Sequence, residues 1–238
     1  MNLISVIVTT YNWPSALKLC LESLFAQQDS NFEIIIADDG SKTANLALNK
    51  SYCITSPVEI QYAYHEDSGF RAGIIRNKAV ALSKGEYLLF IDGDCILPEN
   101  FITKHRALAD AGYFIPGNRV LLSQLFTQEV IEQQQSLHNK PWYFFLRLRI
   151  QNKINGLLPF LQLPLGFLRK LRPKKWQNAM TCNLGVWKHD FIAVNGFDEQ
   201  FEGWGYEDSD LVIRLIHAGV NRKEGRFATC ITFMASSE

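Results

Sequence analysis

The most constraining feature of this chain is an apolar run, Leu88 to Ile91, that leads directly into Asp92-Gly93-Asp94. A continuous apolar run of strand length predicts a parallel strand buried on both faces. Open α/β sheets bind ligands beyond the carboxyl ends of such strands. Two carboxylates one residue apart, with a glycine that lets the backbone turn sharply, suit one divalent cation and its phosphates. An ordinary Asp-Gly turn is the alternative that this motif alone leaves open.

Charged residues are distributed unevenly along the 238-residue chain. Its 24 Lys and Arg balance 24 Asp and Glu, yet ten basic and no acidic residues occur between Glu132 and Asp190. The remainder therefore carries 14 basic against 24 acidic residues. With 47% hydrophobic residues, the chain is predicted to form one large globular domain, or one and a half, in which a basic segment interrupts an acidic body.

The cysteines and the hydropathy pattern indicate the compartment. Five cysteines are scattered along the chain without a Cys-x-x-Cys pair, which argues against zinc or a disulfide framework and favours reduced thiols. No signal peptide is evident at the N-terminus, and no apolar run approaches the roughly 20 residues of a membrane-spanning helix. We expect a cytoplasmic protein.

Strands and helices are predicted to alternate in the first half. Strands are predicted over residues 3–8, 32–37 and 58–63 and in the Leu88 run, with helices from Pro14 and over 72–83. This order predicts an α/β fold with a mostly parallel sheet and right-handed crossovers. Polar clusters at 10–12, 38–39 and 92–94 end three strands, so they should meet at one edge of the sheet. Neither G-x-G-x-x-G after a strand nor a Walker loop occurs.

The second half carries an acidic loop between glycines. A helix is predicted over 98–111, the pattern weakens between 123 and 176, and a strand follows over 180–188. Residues 190–198 are typical of a short helix and turn. The loop Gly203-Trp204-Gly205-Tyr206-Glu207-Asp208 then leads into a helix with an apolar face, and residues 226–234 predict a last strand.

Several motifs occur in the order found in a known family. They are Thr10-Tyr11-Asn12, Asp38-Asp39-Gly40-Ser41, Arg76-Asn77, the Asp-x-Asp motif Asp92-Gly93-Asp94, Asn183-Leu184-Gly185, Val194-Asn195-Gly196-Phe197-Asp198 and Trp204-Gly205-Tyr206-Glu207-Asp208. The chain resembles the family 2 glycosyltransferases, with the nucleotide-sugar-binding fold called GT-A. Its second half is similar to β-1,4-galactosyltransferases and chondroitin-type polymerases. The resemblance covers about residues 3–115 and 178–230.

This resemblance implies one GT-A domain over residues 1–238. Residues 1–115 would be its nucleotide-sugar-binding half, 116–178 a basic apolar insert and 179–238 its acceptor-binding and catalytic half. Asp94 would be the metal ligand for Mn²⁺ or Mg²⁺, which stabilises a diphosphate leaving group as a Lewis acid. Asp92 would bind the ribose or help to hold the ion, and Asp39 would bind the nucleotide base. The remaining expected nucleotide-sugar contacts are Thr10, Asn12, Arg71 and Arg76, with a surface salt bridge as the alternative for Arg71.

The acceptor side is expected around the Glu-Asp pair. An attacking hydroxyl must lose its proton, and a carboxylate within hydrogen-bond reach is the usual general base. The resemblance assigns this role to Asp208 and places Glu207 on the acceptor sugar, while Trp204 offers a flat face to a sugar ring. The alternatives are helix capping for the two acids and a core position for Trp204. A Glu-Asp pair also implies inversion at the anomeric carbon.

Within the insert, residues 140–176 combine aromatic and basic residues, and Pro159 and Pro164 exclude a straight spanning helix. This combination suits the face of an anionic membrane; a buried helical hairpin with a basic rim is the alternative. A nucleic-acid partner is disfavoured by the acidic body. We therefore expect an enzyme bound peripherally at the inner face of the membrane.

The expected activity is transfer of a hexose or N-acetylhexosamine, from a UDP-sugar, to a glycan or lipid-linked acceptor of bacterial polysaccharide or lipopolysaccharide. A non-catalytic sugar- or membrane-binding protein is one alternative. A sugar nucleotidylyltransferase is another, although residues 9–14 lack its glycine-rich loop. In the family a histidine after the last strand completes the metal site. None follows residue 234 here, so a shortened chain with a weakened metal site is expected.

Overall fold

The computed structural model describes residues 3–201, 203 and 205–235. Within these residues, seven strands form a central sheet in the order β3-β2-β1-β4-β8-β6-β9. The strands are β1 (Ile4–Thr10), β2 (Phe32–Asp38), β3 (Ile60–Tyr64), β4 (Tyr87–Asp92), β6 (Tyr113–Pro116), β8 (Asn183–Trp187) and β9 (Asn221–Arg222). A smaller sheet has the order β5-β10-β7 and consists of β5 (Cys95–Ile96), β7 (Asn118–Leu121) and β10 (Cys230–Phe233).

Helices cover both faces of the central sheet. They are α1 (Pro14–Phe25), α2 (Thr43–Thr55), α3 (Ala72–Leu82), α4 (Phe101–Leu108), α5 (Gln124–Glu132), α6 (Trp142–Ile150), α7 (Lys188–Ala193) and α8 (Glu207–His217). One buried cluster joins α1 and α4 to one face of the sheet, and another joins α3, α7 and α8 to the other. A third cluster packs α5 and α6 against the smaller sheet.

The strand pairing brings the polar clusters to one edge of the sheet. Strands β1, β2, β3 and β4 are parallel, and Thr9 lies opposite Asp92 while Thr10 lies opposite Asp38. Strand β8 runs antiparallel to β4, and Asn183 at its start lies opposite Ile91 near the end of β4. The segment that enters β8 therefore reaches the same edge as the carboxyl ends of the parallel strands.

The predicted α/β class with a mostly parallel sheet is confirmed, with local differences. Helix α2 was not predicted, and α4 is shorter than the helix predicted over 98–111. The weakly patterned region contains α5, α6 and two short 3-10 helices. Among the described residues, no helix is long and apolar enough to cross a bilayer.

Candidate active site

A cavity of about 580 Å³ opens at the carboxyl edge of the parallel strands. We call it the main cavity. Its wall comes from the ends of β1, β2 and β4, the starts of α3 and α8, the segment before β8, and the strands β7 and β10. The residues of the sequence prediction that line it are Thr10, Asp39, Arg76, Asp92, Asp94, Glu207 and Asp208. Residues separated by almost 200 positions thus meet in one cleft.

The turn after β4 holds its two acids at the cavity wall. The backbone N–H of Gly93 donates to the carbonyl of Thr9 at 2.7 Å, and a Cβ at position 93 would lie 3.1 Å from that oxygen. A larger residue would therefore force the turn away from β1. Burial, and then the charge of Asp92, raise the pKa of Asp94 to about 8. Burial also raises the pKa of Asp92, although Arg76 opposes this.

The donor set of this turn fits a divalent cation shared with a diphosphate. Asp92 and Asp94 are two carboxylates in one turn, and both line the main cavity. Among the described residues, no group of three or more His, Cys, Asp or Glu side chains is arranged to hold a metal by itself, and no histidine lines the cavity. Mg²⁺ commonly keeps several waters and takes one or two carboxylates plus substrate phosphates.

Arg76 links the acids of the two halves. Its side chain is buried, and its Nε donates to Thr9 Oγ1 at 3.0 Å while its Nη2 donates to Asp92 Oδ1 at 3.2 Å. Its Nη1 lies 3.7 Å from Glu207 Oε1 and 3.6 Å from Asp208 Oδ1. Burial alone would lower the pKa of Arg76, but Asp208, Asp92 and Glu207 together raise it. Its Nη1 forms these two ion pairs but makes no hydrogen bond within the described residues.

Asp208 is held by two hydrogen bonds at the start of α8. Thr181 donates to it twice, from its backbone N–H to Oδ2 at 3.0 Å and from its Oγ1 to Oδ1 at 2.7 Å. About a quarter of the Asp208 side chain stays exposed. A carboxylate oxygen has two lone pairs, so this fixed carboxylate can still accept a proton from a molecule in the cavity. Tyr206 at the N-cap of α8 makes no side-chain cap hydrogen bond, and the side-chain hydrogen bonds of Asp208 come from Thr181, outside the helix.

Glu207 faces the cavity from a strained turn. Its Oε2 accepts from the backbone N–H of Gly205 at 3.1 Å, and burial, followed by the charge of Asp208, raises its pKa. Tyr206 has a left-handed backbone with φ of 72° and is 80% exposed. That conformation is costly for a bulky residue and often marks a functional site. The predicted acceptor contact Trp204 lies outside the described residues.

Asp39 and its neighbour Asp38 have different environments. Asp39 lines the main cavity, where its Oδ1 contacts His65 Nε2 at 2.6 Å and its Oδ2 accepts from the backbone N–H of Arg71 at 3.0 Å. Burial raises the pKa of Asp39. Asp38 is buried away from this cavity and accepts from Ser41 N and Asn49 Nδ2. Asp39 is therefore the member of the pair that a nucleotide can reach.

Two predicted contacts, Asn12 and Arg71, are not among the residues that line the main cavity. Asn12 has a positive φ of 48°, and its Oδ1 accepts from Lys42 N at 2.8 Å and Asn45 Nδ2 at 3.2 Å. It ties the loop after β1 to the loop after β2. Arg71 precedes α3 and contributes its backbone N–H to Asp39. Both residues support the cavity from outside it.

Arg119, Thr181 and His65 were missed by sequence reasoning. Arg119 lines the main cavity from β7, Thr181 holds Asp208, and His65 contacts Asp39. Each lies outside the motifs, so no local pattern identified it. For Thr181, the one available signal was a polar side chain at the start of the strand predicted over 180–188.

The family can now be stated from comparison with known proteins. Residues 5–170 match glycosyl transferase family 2. The chain belongs to that family. Residues 166–235 also match a family described as the N-terminal domain of galactosyltransferase. The family named from the motifs is thereby confirmed over more than half of the chain.

Two similar proteins with named activities are a glucosyltransferase and a hyaluronan synthase. The validoxylamine A glucosyltransferase of Streptomyces hygroscopicus subsp. jinggangensis is 26% identical over 92% of this chain and 52% of its own length. The hyaluronan synthase of Pasteurella multocida is 32% identical over 91% of this chain and 23% of its own length. The chain thus spans about half, or less, of these curated relatives.

Solved structures support the fold. S. aureus TarS (residues 1–349) in complex with UDP-GlcNAc superposes with a TM-score of 0.66 at 16% identity, covering 100% of this chain and 60% of that one. The mannosyltransferase PcManGT from Pyrobaculum calidifontis, in complex with GDP-Man and Mn²⁺, gives 0.67 at 14% identity, covering 99% and 57%. The GT-A fold expected from the motifs is confirmed.

Proposed function

We propose that this chain transfers a hexose or N-acetylhexosamine, with inversion, from a UDP-sugar to a glycan or lipid-linked acceptor of a bacterial surface polysaccharide or lipopolysaccharide. The observation that carries the proposal is the position of Asp208 in the same cavity as Asp92 and Asp94. Asp208, the candidate base, thereby faces the turn Asp92-Gly93-Asp94, which we call the candidate metal turn, and Arg76 lies between them. The names of the relatives and the UDP-GlcNAc complex of a structural neighbour support a nucleotide-sugar donor.

On the donor side, this chain's residues would bind and orient the nucleotide. Asp39 and Thr10 line the end of the cavity formed by β1 and β2, where Asp39 can accept from a base N–H. Asp94 and Asp92 would hold the Mn²⁺ or Mg²⁺, and the bound ion supplies Lewis-acid stabilisation of the diphosphate leaving group. Arg76 lines the cavity beside these acids and would donate to a phosphate or sugar oxygen. These contacts favour departure of the nucleoside diphosphate.

On the acceptor side, Asp208 would take the proton of the attacking hydroxyl. Thr181 fixes both carboxylate oxygens, so the base is already oriented when the acceptor arrives. Glu207 would hold a second hydroxyl of the acceptor sugar, and the exposed ring of Tyr206 would face the sugar plane. With Asp208 on one side of the transferred sugar and the leaving group on the other, a single displacement would invert the anomeric carbon.

The test is a panel of nucleotide sugars, with Mn²⁺ and oligosaccharide acceptors, in which free nucleoside diphosphate and the anomeric configuration of the product are measured. Release of UDP from one UDP-sugar, with an inverted product, is expected. Release of GDP alone, or a retained configuration, would contradict the proposed donor or stereochemistry. Binding of a UDP-sugar without any turnover would favour the non-catalytic sugar-binding alternative.

A membrane-surface location at the inner face of the cell membrane is part of this proposal. Trp142, Tyr143, Phe167 and Leu171 are each at least 64% exposed in the insert. Four exposed basic residues of the same segment are Arg147, Arg149, Arg172 and Lys174; Lys170 is exposed too but is paired with Asp110. Aromatic and basic side chains exposed together suit an anionic bilayer, where each nearby basic residue contributes about 1 kcal/mol.

Two basic residues of the segment do not belong to that surface. Arg169 is buried and donates to the carbonyls of Leu163, Glu224 and Arg226, and Lys170 pairs with Asp110 at 2.7 Å. The suitable test therefore replaces the four exposed basic residues with Gln and measures sedimentation with anionic and neutral vesicles. Weaker sedimentation with anionic vesicles is expected, with a smaller difference at high salt. Equal partitioning of variant and parent would remove the membrane from the proposal.

A further inference from the structure

A second cavity, of about 300 Å³, adjoins the main cavity beside the segment that enters β8. We call it the arginine pocket. Arg119, Asn178, Met180 and Cys182 line both cavities. Thr181, which holds Asp208, lies between two of these shared residues. The arginine pocket therefore continues the main cavity on the side of the candidate base.

The arginine pocket is strongly basic. Arg119, Arg222 and Arg226 line it, and no acidic side chain does so in the described part of the chain. Glu224 contacts two of them from outside the lining, 3.1 Å from Arg222 Nη2 and 3.6 Å from Arg226 Nε. The three guanidinium groups outnumber this carboxylate, and Arg119 also interacts with the charges of Asp92 and Asp94 on the side of the main cavity. Burial and then the charges of Arg222 and Arg226 lower the pKa of nearby Lys175, which agrees with a positive field.

One of these arginines has an unused donor. Arg222 is 2% exposed, and its Nη1 donates to the carbonyls of Lys175 at 3.2 Å and Gln177 at 2.9 Å. Its Nη2 donates to Glu224, but its Nε has no partner among the described residues. A buried N–H without an acceptor is unfavourable. A ligand oxygen in the pocket would provide the missing acceptor.

The position of the arginine pocket separates it from the expected donor site. The candidate donor contacts Thr10, Asp39, Asp92 and Asp94 line only the main cavity. Arg119 stands where the two cavities meet, with its guanidinium 4.9 Å from the centre of the Phe233 ring. A group bound among the three arginines would belong to the molecule that approaches Asp208, not to the nucleotide.

We propose that the arginine pocket is an acceptor subsite for an oxyanion, either a carboxylate or a phosphate, carried by a sugar of the acceptor next to the one that is glycosylated. This inference rests on the proposed function, because it takes the Asp208 side as the acceptor side. Guanidinium groups bind both oxyanions through paired, charge-assisted hydrogen bonds. The acceptor is thus an acidic glycan, and the arginines select it against neutral ones.

The test measures binding of D-glucuronate, glucose 6-phosphate and neutral glucose by calorimetry, with the chain saturated with UDP and Mn²⁺ to occupy the donor site. We expect at least one anionic sugar to bind more tightly than glucose. Arg226→Gln should weaken that binding about tenfold or more, as expected for losing one charge-assisted hydrogen bond. Its side chain is partly exposed, so the fold should tolerate the change. Arg119→Lys is the second variant and should weaken binding by losing the paired geometry.

Lys50→Gln is the matched control, because it also removes one positive charge, and Lys50 is exposed on α2 and lines neither cavity. Tighter binding of glucuronate would assign a carboxylate, and tighter binding of glucose 6-phosphate a phosphate. Equal binding of all three sugars, or equal losses in Arg226→Gln and Lys50→Gln, would overturn the subsite. Saturation with UDP is verified separately by titration. If UDP does not saturate the chain, that result counts against the proposed donor. The comparison of the variants still tests the arginine pocket.

Discussion

Replacing Asp208 with Asn tests its proposed role as the general base while keeping its structural hydrogen bonds. Asp208 accepts two hydrogen bonds from Thr181, at 3.0 Å from the backbone N–H and 2.7 Å from Oγ1. An Asn side chain can keep both contacts, because its oxygen accepts the N–H while its amide group donates to the rotated hydroxyl. Arg76 loses one neighbouring charge but retains Asp92 at 3.2 Å and Glu207 at 3.7 Å. The side chain should therefore stay in place.

The expected effect on catalysis is larger than the effect on stability. With both hydrogen bonds kept, the free energy of unfolding should fall by no more than about 1 kcal/mol, the usual net value of one hydrogen bond. Loss of a general base lowers turnover by roughly 10²- to 10⁴-fold. This corresponds to about 3 to 5 kcal/mol of activation free energy. The two readouts thus differ enough to be told apart.

The assay measures UDP release from the preferred UDP-sugar, first with water and then with the best acceptor, together with donor affinity by calorimetry. Asp210→Asn is the matched control, because Asp210 lies in the same first turn of α8, pairs with Arg214 at 2.7 Å and does not line the main cavity. Turnover should fall in Asp208→Asn alone, with donor affinity nearly unchanged. Equal turnover in the two variants, or lost donor affinity with an unaffected chemical step, would refute the reasoning.

Three further variants test the metal turn, the central arginine and a buried histidine. Asp94→Ala should abolish Mn²⁺-dependent binding of UDP, measured by titration with and without the ion; unchanged dependence would contradict the metal assignment. Arg76→Met should lower the free energy of unfolding in urea by about 3 to 5 kcal/mol, because three acids lose a buried cation; a loss below 1 kcal/mol would argue against this role. Burial lowers the pKa of His105 from 6.5 to about 4. The free energy of unfolding should therefore contain the full contribution of neutral His105 above pH 6.5 and lose about 3 kcal/mol as the pH falls towards 4. His105→Gln should flatten this dependence of the free energy of unfolding on pH.

The chemistry behind the His105 prediction is visible in its contacts. Its Nε2 lies 3.0 Å from Asn183 Oδ1, while Asn183 Nδ2 donates to the carbonyls of Asn118 and Thr229. The amide oxygen is therefore the acceptor, and Nε2 of the neutral ring carries the hydrogen. His105 Nδ1 is buried without a partner among the described residues. Protonation there would create a charged donor without an acceptor.

The fold could be predicted where burial alone decides it. Strands β1, β2 and β4 are continuous apolar runs because both of their faces are covered, and their polar ends identified the edge of the cavity. The direction of β8 could not be predicted, since an apolar run has the same pattern in parallel and antiparallel pairs. Helix α2 was missed because Asn45, Asn49 and Lys50 make it polar and weakly periodic.

The site could be predicted only as far as its motifs extend. Asp39, Asp94 and Asp208 stand in short acidic motifs at strand or helix ends. In such motifs the residue type indicates the chemistry, and the end of the strand or helix indicates the position. Arg119 is a single basic residue in a short strand, and nothing local distinguishes it from a solvated side chain. Its place beside Cys182 and Phe233 depends on the pairing of β7 with β10, which brings together residues more than 100 positions apart.

The motif Arg76-Asn77 shows why the two halves of the site keep a fixed relationship. Arg76 bridges the end of β4 to the start of α8 through Asp92 and Asp208. Asn77, the next residue of α3, accepts from the backbone N–H of Phe197 and donates to its carbonyl, both at 2.9 Å. One helix therefore positions the candidate metal turn, the candidate base and the turn that precedes the acidic loop. A change in α3 should then alter donor binding and the orientation of the base together.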